Sequence, residues 1–90
     1  MDEELLQKIE ELAYLMMTPQ QIGDLLDLNG DQVSMLSNRF CPIGKMYRKV
    51  LAQQARELHR QTLKLAQVGS PTATDEANKY LRDALIALDY

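Results

Sequence analysis

Apolar residues recur at helical spacing along nearly the whole chain, and the breaks in that spacing divide it into five predicted helices. Over residues 3–17, Leu5, Ile9, Leu12 and Met16 form a stripe widened by Leu6 and Ala13. Glu3, Glu4, Lys8, Glu10 and Glu11 lie largely outside it. This predicts an amphipathic first helix whose N-terminal acids suit the helix dipole. Ile22, Leu25 and Leu26 make the apolar face of a second helix, residues 28–31 supply a turn, and Val33 and Leu36 begin a third face. The run Phe40-Cys41-Pro42-Ile43-Gly44 interrupts the pattern, because Pro42 disfavours helix at Cys41 and Gly44 lowers helix propensity. We read it as a linker over residues 41–45.

Residues 45–68 then predict a long helix in which Leu51, Leu58 and Leu65 recur every seven positions, with Ala55 and Thr62 between them. That is a heptad seam, expected to be core. On a wheel of about 100° per residue, Lys49, Arg56, Arg60 and Lys64 fall on the opposite face. Gly69 suits the position just past this helix. Ser70-Pro71 offers a cap and a first helical residue, with Thr72 and Asp75 as a second capping pair. The last helix carries Ala77, Tyr80, Leu81, Ala84, Leu85 and Leu88 on one stripe, predicted to fold back as an antiparallel hairpin, with the last few residues loose. The expected organisation is an all-α chain: a trihelical unit at 1–40, a linker at 41–45 and a helical hairpin at 46–90.

The segment TPQQIGDLLDLNGDQVSML, residues 18–36, is the most informative stretch. Thr18 can cap a helix, Pro19 suits its first position, and Gln21 completes a capping box. Gly23 is a tiny residue early in that helix, and Ile22, Leu26, Leu28, Val33 and Leu36 are apolar at the spacing two crossing helices need. The segment resembles a helix-turn-helix, the N-terminal unit being its trihelical setting. It departs from that family at Asp27, where Gly is usual. Asp27 must adopt the left-handed region, or the turn must shift to Asn29-Gly30.

Composition narrows the class. Ninety residues make one small domain with a modest core, a size that favours association with further copies. With no Trp, one Phe, three Pro and four Gly, helix is favoured throughout. The single cysteine, Cys41, cannot form an internal disulfide. No targeting signal or bilayer-length apolar run is present, so a cytoplasmic location is expected. The net charge of −3 opposes DNA binding on average, since affinity for DNA comes from Lys and Arg releasing counterions. The charge is nevertheless blocked: −7 over residues 1–31, +6 over 39–64 and −2 over 65–90. An acidic head before a basic middle points to nucleic-acid contact or to head-to-middle pairing between subunits.

A helix-turn-helix followed by a long basic helix, and then by LAQVGSPTATDEANKYL at residues 65–81, resembles the small terminase-like DNA-packaging proteins of tailed phages and prophages. That resemblance implies a non-enzymatic, phage- or prophage-encoded subunit in a bacterial host. It would assemble as a homo-oligomer through its hairpin, bind double-stranded DNA near a packaging site, and hand it to a large terminase subunit. Carried onto this chain, the DNA-facing positions are Asp31, Gln32, Ser34, Met35, Ser37, Asn38 and Arg39. Gln32 and Asn38 suit base edges, and Arg39 suits phosphate or guanine. Asp31 repels phosphate and Met35 offers little. Lys45, Arg48, Lys49, Arg56, Arg60 and Lys64 form the electrostatic footprint on the long helix, which is otherwise a solvated face or a partner for the acidic head of a neighbouring copy.

Catalytic and cofactor chemistry is not expected. His59 and Cys41, the only residues of their types, lie on different predicted elements, and no metal-ligand spacing or phosphate loop occurs. Tyr14, Tyr47, Tyr80 and Tyr90 are too scattered for a base-stacking platform, and the methionines suit gap filling. Besides the packaging reading, a small phage or mobile-element transcription regulator and a helical assembly or adaptor protein that binds no DNA remain as alternatives.

Overall fold

The computed structural model describes residues 2–88, and all of its regular structure is helical. It divides into two compact units after Gln54. The expectation that the last few residues are loose falls at least partly on residues 89 and 90, which lie outside the described ones.

In the first unit, α1 (Glu3–Tyr14) starts at Asp2, whose carboxylate accepts from the Leu5 N–H at 2.7 Å. Glu3 and Glu4 then stand in the positive first turn. The helix stops two residues earlier than its stripe predicts. Met16 has φ 62, its N–H donates to the Ala13 carbonyl at 2.8 Å, and Met17 donates to Leu12 at 3.2 Å. This pair of bonds is a Schellman ending with Met where Gly is usual. Met16 is therefore not core but 49% exposed, while Met17 packs on the core in its place.

α2 (Pro19–Leu26) begins as expected, with Thr18 and Gln21 exchanging both bonds of the capping box. Its face turns on Ile22, which is fully buried; Leu25, expected on that face, is 58% exposed. Asp27 takes the left-handed conformation (φ 53, ψ 43) and ends the helix. The turn does not shift, because Asn29 is committed elsewhere: it caps α3 (Gly30–Ser37) in a second reciprocal box with Gln32. At Gly23 a Cβ would lie 2.6 Å from Val33 Cγ2, so the absence of a side chain there lets α3 cross closely over α2.

The expected linker is a correction. Residues 42–45 form the first turn of α4 (Pro42–Gln67), with Pro42 as its first residue. Pro lacks the N–H that a first helical residue leaves unbonded in any case, so it starts this helix rather than breaking it. Nor do three helices close the unit. Ile43, Tyr47 and Val50 of α4 join Ile9, Ala13, Ile22 and Leu36 in one core, with Leu51 packed against it. Gly44 is what permits this approach: a Cβ there would collide with the Asn38 carbonyl oxygen and stand 2.8 Å from that of Met35. Two α4 side chains then bond the end of α1. Tyr47 donates its hydroxyl to the Met17 carbonyl at 2.5 Å, and Gln54 donates to that of Tyr14 at 2.7 Å.

In the second unit, the rest of α4 ends at Gly69 (φ 95), where Ser70 donates to the Leu65 carbonyl. α5 (Pro71–Leu88) follows with Ser70 as its cap, accepting from the Ala73 N–H at 3.3 Å; the Thr72 and Asp75 alternative is not used. His59 and Tyr80 stack at 3.7 Å between ring centroids, so α5 folds back on α4 within this unit. The heptad seam is not core here. Leu58 and Leu65 are 44% and 56% exposed, and on α5 Leu81, Ala84, Leu85 and Leu88 are exposed as well.

Two substitutions test the closure by α4. Gly44→Ala forces a methyl group into backbone and should cost about 3 kcal/mol in chemical denaturation. Gly30→Ala, with nothing within 4 Å, should stabilise by about 0.5 kcal/mol. Tyr47→Phe should cost about 1 kcal/mol at neutral pH, because the Met17 carbonyl loses its donor. Burial pushes the Tyr47 hydroxyl above its ordinary 10.0, outweighing the lowering influence of Arg48. The folded chain then holds this proton after the unfolded chain has lost it. The Tyr47 contribution is full below pH 10 and is lost as pH rises through the folded value. In denaturation measured against pH, the gap between wild type and Tyr47→Phe should therefore narrow above pH 10.

Candidate nucleic-acid interface

The residues singled out on α3 are placed unequally. Leu36 is buried and Val33 faces Gly23, so those two anchor the helix, while Asp31, Ser34, Ser37 and Asn38 are exposed. Gln32, expected to read bases, is half-buried, and its Oε1 accepts from the Asn29 N–H at 3.0 Å. Asn38 accepts from the Phe40 N–H at 2.9 Å and so shapes the α3–α4 turn. Ser37 donates back to the Val33 carbonyl at 3.3 Å. Met35 lines an apolar hollow of about 410 Å³ together with Leu6, Pro42, Ile43 and Met46, with Glu10 at its edge. Ser34 and Asp31 remain as the exposed α3 side chains with no such engagement among the described residues.

Positive charge gathers at the other end of α3. Arg39 is exposed in the turn, Lys45 and Lys49 are exposed on α4, and Arg48 reaches back to donate to the Ser37 carbonyl at 3.0 Å. That bond places a guanidinium at the negative end of the α3 dipole, so part of Arg48's role is to hold α3 against α4. Phe40, 81% exposed beside Arg39, was not singled out by the apolar pattern, which treated it as part of an interruption. The three acids Asp24, Asp27 and Asp31 are exposed across α2, its turn and the start of α3. This part of the unit is therefore negative, while Arg39, Lys45, Arg48 and Lys49 make its α3–α4 corner positive.

Arg56, Arg60 and Lys64 belong to the second unit, and all three are exposed. Arg60 lies 3.6 Å from Glu57, an exposed pair of small energetic consequence that nevertheless offsets one charge of the footprint.

His59 is occupied with Tyr80 in the second unit, and Cys41 lies in the first at the start of α4, so neither unit assembles the two as a pair. Among the described residues, no three His, Cys, Asp or Glu side chains gather to hold a metal ion, and no helix is long and apolar enough to cross a membrane. Comparison with protein families, curated proteins and solved structures gives no match.

The reassignment of Gln32 is directly testable. Gln32→Ala should lower stability by about 0.5–1 kcal/mol through the lost half of the capping box, a loss visible in thermal unfolding without any DNA present.

Proposed function

We propose that this chain is a non-catalytic, DNA-binding subunit of the small terminase-like kind, which recognises phage DNA for packaging in the bacterial cytoplasm and passes it to a large terminase subunit. In this reading α2, the Asp27 turn and α3 are a helix-turn-helix. The observation that carries it is the close crossing at Gly23, where Val33 occupies the space a Cβ would need, as the motif requires of its tiny residue. The left-handed Asp27 supports it further, since a single left-handed residue joins the two helices where the motif usually has Gly.

Electrostatics then assign the roles. Phosphates meet Arg39, Lys45 and Lys49 at the α3–α4 corner, with Arg48 steadying the end of α3. Ser34 is the α3 side chain left to approach base edges, because Gln32 and Asn38 are engaged in capping and turn bonds. Binding in this reading comes mostly from the backbone and little from sequence, so it is strongly salt-dependent. Arg56, Arg60 and Lys64 add a second set of phosphate-binding cations from their own unit. Homo-oligomers raise affinity by presenting several such weak surfaces to one duplex.

A second reading, a helical assembly or adaptor protein without DNA affinity, is favoured by the exposed acids Asp24, Asp27 and Asp31, which repel phosphate from much of the α2–α3 surface.

Fluorescence anisotropy with a mixed-sequence duplex across a salt series separates the two. The packaging reading expects binding at low salt. It also expects the triple variant Arg39→Gln, Lys45→Gln, Lys49→Gln to flatten the log–log salt slope by about 0.9 for each phosphate no longer neutralised. A wild-type chain with no low-salt affinity would leave the adaptor reading.

A further inference from the structure

We infer that Phe40 is a wedge: its ring enters the base stack of a DNA duplex at a flexible step, while the cations beside it hold the flanking phosphates. The inference rests on the DNA-binding reading above and adds to it a residue that senses how easily the duplex deforms.

The first observation is how the ring is held. Phe40, the one Phe of the chain, is 81% exposed. Arg39 and Phe40 are the central pair of a hydrogen-bonded turn, because the Asn38 carbonyl accepts from the Cys41 N–H at 3.2 Å. The Asn38 side chain braces the same turn by accepting from the Phe40 N–H at 2.9 Å. The turn is also tied down on both sides. Arg48 donates to the Ser37 carbonyl before it, and the Gly44 backbone lies against the Asn38 carbonyl. Such a turn has no need of an aromatic residue, since Pro, Gly and small polar residues make it best. A side chain that could bury on the order of 200 Å² is thus held out in water on a fixed backbone.

The second observation is the charge beside it. Between Asp31 and Glu57 the sequence has no acidic residue. Lys45, Arg48 and Lys49 stand at i, i+3 and i+4 on α4 and share one face, and the bond from Arg48 to Ser37 turns that face toward the end of α3. With Arg39 next to the ring, they make a field that attracts a polyanion. A ring set beside cations fits a ligand that is anionic outside and flat and apolar within. Stacked bases between phosphate strands have that chemistry. A lipid surface takes a broad apolar helix face, which one ring on a turn does not supply.

Placement agrees with this role. The eight residues of α3 span about 12 Å, which matches the width of the major groove. With α3 in that groove, the turn at its end reaches the bordering phosphate strand. Beyond that strand lies the minor groove, the side from which apolar wedges enter. Pyrimidine–purine steps such as TA unstack most easily, and runs of A resist. With Gln32 and Asn38 engaged elsewhere, deformability is what this surface has left to read.

The test uses the full chain at fixed low salt with two duplexes of equal length, one with a central TA step and one with a run of A in its place. In anisotropy the wild type should favour the TA duplex. Phe40→Ala should bind that duplex about tenfold more weakly and lose the preference. Its salt slope should match the wild type, since no phosphate contact is removed. With 2-aminopurine as the adenine of the TA step, fluorescence should rise as the wild type binds, because the base unstacks. Wild-type binding without that rise, or a Phe40→Ala variant that binds and discriminates like wild type, overturns the wedge and leaves the DNA reading standing. A wild type that binds neither duplex overturns both. The fluorescence reading needs no variant, so it decides the matter even if Phe40→Ala does not fold.

Discussion

The first unit depends on one close approach, that of Gly44 in α4 to the carbonyls of Asn38 and Met35 at the end of α3. With a hydrogen in place of a side chain, the start of α4 lies directly against the last turn of α3. Ile43, Tyr47 and Val50 then enter the space that Ile9, Ala13, Ile22 and Leu36 leave open. The same placement lets Tyr47 and Gln54 donate to carbonyls at the end of α1, and Arg48 to the carbonyl of Ser37. Helix C-termini expose carbonyls that the helix itself cannot satisfy, so α4 supplies both apolar filling and polar closure.

This arrangement decides which side chains are free to act. Gln32 and Asn38 look like base readers by residue type, but each is held by a bond that shapes the end of a helix. Met35 turns into an apolar hollow. What remains outside is a positive corner at Arg39, Lys45 and Lys49 and a negative stretch at Asp24, Asp27 and Asp31. Under the proposed DNA-binding reading, a surface so divided would meet a charged backbone at one corner and offer little readout along α3.

The second unit shows the opposite balance. Its polar requirements are met locally, by the Ser70 cap and by the bonds that close the end of α4. Its apolar side chains are left largely in water. A heptad repeat states that a helix has an apolar stripe; it does not state what covers it. Leu51 finds its cover in the core of the first unit, whereas Leu58 and Leu65 do not find it within their own.

The sequence by itself determined the all-helical class, the capping box of Thr18 and Gln21, the left-handed option at Asp27 and Ser70 as one of two caps for the last helix. Each of these is settled by chemistry within a few residues: a hydroxyl or carboxamide meeting an N–H three positions on, or a proline fixing a first turn. Only the tertiary structure decided that Pro42 opens α4, that Gly44 is a contact point rather than a weak spot, and that Met16 leaves the stripe while Met17 joins it. The Asn29 and Gln32 capping box is equally local, passed over in the sequence because Asn29 reads as a turn residue and Gln32 as a base reader. The Gly44 contact and the fate of the methionines turn on which segment lies against which. Periodicity gives each helix an apolar side, but partner, register and stopping point follow from packing between segments far apart in the chain.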